Sequence, residues 1–180
     1  MLTSYSGTYK TWIFSHQDEK GVPIGRVIDF VINPENGHFE AIWAQSSHGL
    51  RLLSIKDIIR WDEQELVINS EKDFLKAEDF PRLQPILEKE VALLGTKVFS
   101  ETQQYLGRVK DFAFDTISPK ILSLLVQNGW WFIGKKSIIP RNKIIKITST
   151  GIYISENVIP ITPTKGAKVD SQSEKVRLES

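Results

Sequence analysis

The chain has 180 residues, 41% of them hydrophobic and 25% charged, with a formal net charge of +1; this is ordinary globular composition, with room for one domain or two small ones. Cysteine is absent, which excludes disulfides and thiolate metal sites and fits a reducing compartment. The N-terminus has no basic segment leading into an apolar core, and no run of about 18 apolar residues occurs, so neither secretion nor a transmembrane segment is expected and the expected location is cytoplasmic.

In chain order, Thr11–Ser15 (TWIFS) reads as a strand rich in aromatic and β-branched residues, and the polar stretch 16–21 after it reads as a turn. A second strand starts at Ile24-Gly25. Asn33-Pro34-Glu35-Asn36-Gly37 then combines a Pro turn starter with an Asn-Gly pair suited to a tight hairpin. The return strand, His38 to Gln45, is expected to place Phe39, Ala41 and Trp43 on one face and Glu40, Ile42 and Ala44 on the other, a wall whose outer face is mixed. Short strands over 50–55, 56–61 and 65–69 complete the unit.

Residues 71–94 change character. Leu83, Ile86, Leu87, Val91 and Leu94 recur at three- or four-residue intervals, which predicts a linker helix, capped by Asp79, with Pro81 and Pro85 in its first turn and Gly95 after its end. Its apolar stripe is expected to pack across a seam between two units.

From residue 95 the first pattern returns. Gly25-Arg26-Val27-Ile28-Asp29-Phe30 reappears as Gly107-Arg108-Val109-Lys110-Asp111-Phe112, and Ile138-Ile139-Pro140 lines up with Leu52-Leu53-Ser54. Asn128-Gly129 reads as a hairpin turn before Trp130-Trp131-Phe132. The fold class expected is all-β: a first barrel over 1–70, a linker with a helix over 71–94, a second barrel over 95–162, and a disordered polar tail over 163–180. A unit of about 70 residues buries only about 60% of its unfolded surface, so each should lean on the other.

The order of elements, a glycine-initiated G-R-V-x-D strand, a turn, an apolar return strand, then a segment ending in Ile-Ile and a basic residue, resembles the PRC-barrel family. That family includes the cytoplasmic domain of the photosynthetic reaction centre H subunit and the C-terminal domain of the ribosome maturation factor RimM. The resemblance covers residues 8–70 and 95–158 and is carried by Gly25, Arg26, Val27 and Asp29 and by Gly107, Arg108, Val109 and Asp111. It implies a small β-barrel used as a protein-interaction module without chemistry of its own. Ser54 stands where the family usually places proline, and neither the membrane helix of the H subunit nor the N-terminal barrel of RimM is present, so neither function carries over whole.

The functional reading agrees. Asp29 and Asp111 could serve acid–base catalysis as a pair, but the repeat assigns them to separate barrels, where a carboxylate accepting backbone N–H bonds is the expected role. Arg26 and Arg108 are expected in salt bridges or along the barrel wall. His16, His38 and His48 fall in turns without ligand spacing, so no metal is expected. No nucleophile triad, phosphate loop or dinucleotide pattern appears, so neither catalysis nor a cofactor is expected.

What remains is a candidate interface: Trp130 and Trp131, which would point to opposite faces of a strand, with the basic cluster Lys135, Lys136, Arg141 and Lys143, continued by Lys146. Residues 1–70 hold six Lys and Arg against nine Asp and Glu, while residues 95–160 hold nine against four, so the second unit is the one suited to an acidic partner. The leading expectation is an adaptor or scaffold with a protein partner; the alternative is a RimM-like ribosome-associated or RNA-processing factor. DNA is not expected, and an uncovered barrel edge leaves a homodimer open.

Overall fold

The computed structural model describes residues 2–18, 21–62, 64–130 and 133–155. Among them it is an all-β protein of two sheets with the same strand order. The chain opens with β1 (Leu2–Ser4) and a single helical turn α1 (Tyr5–Thr8). The first unit follows as β2 (Trp12–Ser15), β3 (Pro23–Ile32), β4 (Phe39–Ser46), β5 (Gly49–Ser54), β6 (Ile58–Trp61) and β7 (Glu65–Ile68). Its sheet runs β5-β4-β3-β2-β7-β6, with β2 and β7 parallel and its other neighbours antiparallel.

The linker contains the turn α2 (Gln84–Leu87), and the second unit contains β8 (Lys97–Ser100), β9 (Tyr105–Asp115), β10 (Lys120–Trp130), β11 (Ile133–Pro140), β12 (Ile144–Ile147) and β13 (Ile152–Ile154). Its order is β11-β10-β9-β8-β13-β12, with β8 parallel to β13. Strand for strand, this is the first unit again. The expected tail over 163–180 lies outside the described residues.

The repeated motif gains a structural meaning from the ladders. Val27 pairs with Ala44 and Asp29 with Trp43, so Ile28 is an extra residue; Lys110 is the extra residue between Val109 and Asp111 in the second unit. Each is a β-bulge, which interrupts the ladder. The aspartate after each bulge takes up the next backbone donor: Phe30 N donates to Asp29 Oδ1 and Phe112 N to Asp111 Oδ1, both at 2.8 Å. The Asp-Phe pair is thus a bulge stabiliser, and the phenylalanine is aimed inward.

A second bulge corrects the expected faces of β4. Val31 pairs with Ala41 and Ile32 with Phe39, leaving Glu40 extra. The alternation therefore switches there: Phe39, Ile42 and Ala44 enter the main core, while Ala41 and Trp43 face a smaller cluster with Phe80 and Leu83 of the linker.

The linker helix is much shorter than its periodicity predicts. Pro81–Leu83 is a 3-10 turn and α2 has four residues. Pro85 can only sit in a first turn because it lacks a backbone donor, and the chain leaves helical geometry at Glu90, where φ is +46°. The stripe accordingly splits: Leu83, Ile86 and Leu87 cover the outer face of β4, whereas Val91 and Leu94 pack on the main core.

That core is common to both units. Phe30, Phe39 and Trp61 of the first surround Phe114 of the second, with ring centroids 5.3, 5.0 and 5.3 Å from it. Backbone bonds cross the seam as well, from Phe39 N to Pro119 O at 2.9 Å and from Ile121 N to Gly37 O at 3.0 Å. β1 adds to the other unit's sheet, pairing antiparallel with Ala113–Asp115 of β9. The two repeats form one folded body because neither buries its aromatic face alone.

Candidate interaction surface

Tyr5 sits where the two motifs meet. Its ring lies 5.7 Å from Phe30 and 5.0 Å from Phe112, so α1 wedges between equivalent positions of the repeat. Ser6 N and Ser6 Oγ both donate to the Asp111 carboxylate, at 3.1 and 2.6 Å. Burial, followed by the nearby Asp29, Tyr9 and Asp111, pushes the Tyr5 hydroxyl up to about 12. The aspartates belong to separate sheets as expected, yet both border one residue. Asp29 stays open to solvent on one side; partial desolvation raises its carboxyl above the ordinary range, opposed by the Phe30 N–H. Asp111 is held by Ser6 and Phe112. Their bonds account for them as structural groups.

The sequence-derived interface residues separate. Arg141 turns toward the first unit: a Cβ on Gly37, whose φ is +75°, would lie 2.7 Å from Arg141 Nε. Arg141 Nη1 also donates to Ile144 O at 3.1 Å. It closes the seam. Lys143 ends the same 3-10 turn, and its carbonyl accepts from Ser155 N at 3.0 Å. Lys135 and Lys136 are exposed on β11. Lys136 pairs in register with Gln127, whereas Lys135 borders a cavity of about 400 Å3 lined by residues of the second unit, among them Leu106, Val126 and Ile139.

Trp131 lies outside the described residues, and of Trp130 only the backbone is described. The hairpin turn does not form at Asn128-Gly129. The β10–β11 ladder runs from Ser123 and Pro140 out to Trp130 and Ile133, with Gly129 opposite Gly134. Gly129 takes φ of +108° within the ladder, so its freedom serves a kink in the strand. The corresponding hairpin of the first unit stops at the pair Ser46–Gly49, equivalent to Asn128–Lys135. Trp130 therefore ends a strand extension that the first unit lacks.

A different patch emerges on the outer face of the second sheet. Phe99 of β8 stacks on Tyr153 of β13 at 5.7 Å and meets Tyr105 of β9 at 5.9 Å. Tyr105 is 45% exposed, and none of the three belongs to the buried core. Lys146 is paired with Tyr153 in the ladder, Lys97 stands two residues before Phe99, and Lys97 is paired with Arg108. Among the described residues the ion pairs, such as Arg60 with Glu65 and Lys89 with Glu35, lie in the first unit and linker, and none uses Lys97, Arg108 or Lys146. All three are exposed; Lys97 and Lys146 neighbour the aromatic positions in the ladder, and Arg108 Nη1 donates to Gly95 O at 2.7 Å. The alternation in Lys97-Val98-Phe99 and Ile152-Tyr153-Ile154 carried this signal, but joining the three rings requires the parallel β8–β13 pairing between segments more than fifty residues apart.

His16, His38 and His48 are all exposed. His48 lies 3.3 Å from Glu71, and among the described residues no group of three or more His, Cys, Asp or Glu could hold a metal ion. Among them, too, no helix is long and apolar enough to cross a membrane.

A search of curated proteins finds no match. The family model for the PRC-barrel domain matches residues 91–166. Those residues begin in the linker, contain all the described strands of the second unit and continue past β13, so a PRC-barrel domain is present over residues 91–166, and the first unit repeats its strand order.

Proposed function

We propose that the chain is a non-enzymatic adaptor that binds an acidic protein partner across the outer face of its second unit. The observation that carries this reading is the exposed Tyr105–Phe99–Tyr153 array flanked by Lys97, Arg108 and Lys146, outside the core and free of ion pairs among the described residues. Aromatic residues supply contact area at low entropic cost and basic ones steer an acidic surface, which is the composition of an interface anchor with a charged rim. PRC-barrel domains often mediate protein interactions, which supports the same reading. The acidic first unit favours the orientation, because it would repel the same partner.

RNA binding, as in a RimM-like ribosome-associated factor, is the second reading, supported by the same rings and cations. The stacking of Phe99 on Tyr153 at 25° favours a protein, since each ring covers a face that a base would need. The test is capture from native extract with the immobilised chain, compared with Tyr153→Ala/Lys146→Glu. An acidic protein that is retained after ribonuclease treatment and lost with the double variant is the expected result. Unchanged capture by the variant refutes this face as the interface; capture abolished by ribonuclease, with a steep salt dependence, replaces the adaptor reading with the RNA one.

A further inference from the structure

Where the first unit is filled by Phe74, the second holds a cavity. After β7 a 3-10 turn over Glu71–Asp73 delivers Phe74, which is buried in the main core, whereas the next residue, Leu75, packs on the linker cluster. Leu75 is bridged antiparallel to Leu52, which sets Phe74 beside Leu53 and on the same side of the sheet. The tip of its ring reaches Gly25, where a Cβ would lie 3.0 Å from Phe74 Cζ. Three residues earlier, Glu71 Oε1 accepts from Ser47 Oγ at 2.7 Å and lies 3.3 Å from His48 Nδ1, in the turn between β4 and β5. An inserted aromatic ring and a carboxylate at the turn thus hold this segment.

The ladders give the surroundings of Phe74 their counterparts. Leu53 pairs with Ile42 as Ile139 pairs with Leu124, and Ala44 pairs with Val27 as Val126 pairs with Val109. The pair Ser46–Gly49 corresponds to Asn128–Lys135. In the second unit Ile139, Val126, Asn128 and Lys135 all line the cavity of about 400 Å3, and Leu106 and Ile154 complete its apolar wall. Lys135 is exposed and is in no ion pair among the described residues. It stands where the first unit has the neutral Gly49, directly after the turn that binds Glu71.

We infer that this cavity is the docking site of an acidic–aromatic segment of a partner protein, which inserts a phenylalanine ring against Val126 and Ile139 and sets a carboxylate, three residues earlier in its chain, on Lys135. The ring follows from Phe74, which occupies the matching place in the same strand framework. The carboxylate follows from charge complementarity, because a cation replaces a glycine beside the position of Glu71. A buried aromatic anchor with a charged rim is also the usual energetic division of a peptide site. The cavity is separate from the outer aromatic array: on β8 the buried Val98 and Ser100 alternate with Phe99, and Ser100 lines the cavity. The inference therefore does not rest on the adaptor reading.

The probe is a synthetic peptide of the chain's own Ser70–Lys76 segment, Ser-Glu-Lys-Asp-Phe-Leu-Lys, titrated into the full chain with isotope-labelled methyl groups. The Val126 and Ile139 methyl resonances are expected to shift saturably, and the same peptide with Phe74→Ala to leave them unmoved. Lys135→Glu in the full chain is expected to weaken binding at least about 5-fold, the size of one exposed ion pair, and Lys136→Glu, which does not line the cavity, by less than about 2-fold. Tyr153→Ala/Lys146→Glu is expected to leave the affinity unchanged, so this site and the outer face succeed or fail separately. Unmoved methyls, or equal shifts with the Phe74→Ala peptide, overturn the inference. Hydrocinnamate binding as tightly as the peptide overturns it too, because a small aromatic acid would then be the ligand. Shifts confined to Phe99, Tyr105 and Tyr153 overturn it while leaving the adaptor reading in place.

Discussion

Phe114→Ala tests whether the two repeats share one core. Phe114 is fully buried in the second unit, yet three of its ring neighbours, Phe30, Phe39 and Trp61, belong to the first. Truncating a buried phenylalanine costs about 3–5 kcal/mol through lost transfer energy and the cavity left behind. Each aromatic pair adds about 0.5–1.5 kcal/mol beyond area burial, and the surrounding rings are too rigid to fill the space, so the upper half of that range, about 4–5 kcal/mol, is expected. For a chain of this size each kcal/mol lowers Tm by roughly 2–4 °C, giving a drop of about 8–20 °C. Calorimetry should show one transition in both proteins. Hydrogen exchange locates the effect: Ile42 and Leu53 in the first unit should lose the same protection as Leu124 and Ile139 in the second. First-unit amides that keep wild-type protection, or a thermogram that splits in two, refute the shared core.

The repeated glycines should respond unequally. Gly107 has φ of +134° and a Cβ there would strike the Gln127 carbonyl, so Gly107→Ala is expected to cost about 3 kcal/mol or more by urea denaturation. Gly25 lacks a positive φ and would meet Phe74 Cζ and Gln45 O at 3.0 Å, so Gly25→Ala should cost only about 1–2 kcal/mol; equal losses would contradict this contrast. Tyr5 has a folded-state pKa raised to about 12 from an ordinary value of 10.0. Its contribution is complete below pH 10 and is lost as pH rises through 12, so Tyr5→Phe should flatten the decline in stability across that window; an unchanged alkaline slope would refute the assignment. Trp61 Nε1 is buried with no hydrogen-bond partner among the described residues. Because an unpaired buried donor costs about 1–3 kcal/mol, Trp61→Phe should leave urea stability within about 1 kcal/mol of wild type, and a loss as large as that of Phe114→Ala would show that the indole N–H is satisfied.

The order of strands was legible because it rests on local chemistry repeated twice. A Val-x-Asp-Phe strand, an Asn-Gly turn in the first copy and an apolar return strand are read from neighbours in the chain, and the ladders reproduce them, although Gly25 and Gly107 lie within their strands and do not start them. The linker misled because periodicity reports which residues are apolar, not whether one helix joins them; two prolines and the positive φ of Glu90 broke it. Asn128-Gly129 misled for a related reason. A dipeptide that permits a turn does not require one when its strand has a partner in register.

The amino-acid sequence by itself determined the duplicated all-β architecture, the PRC-type motif and the acidic–basic division between the units, since each depends on residue identity and short spacing. Tertiary structure decided the rest. Which unit β1 joins, how Phe30, Phe39, Trp61 and Phe114 merge into one core, and how Phe99, Tyr105 and Tyr153 meet on an outer face depend on pairings between distant segments. The physical reason is that a side chain's face is set by its strand, but its neighbours are set by register, and one bulge such as that at Glu40 is enough to exchange inside for outside.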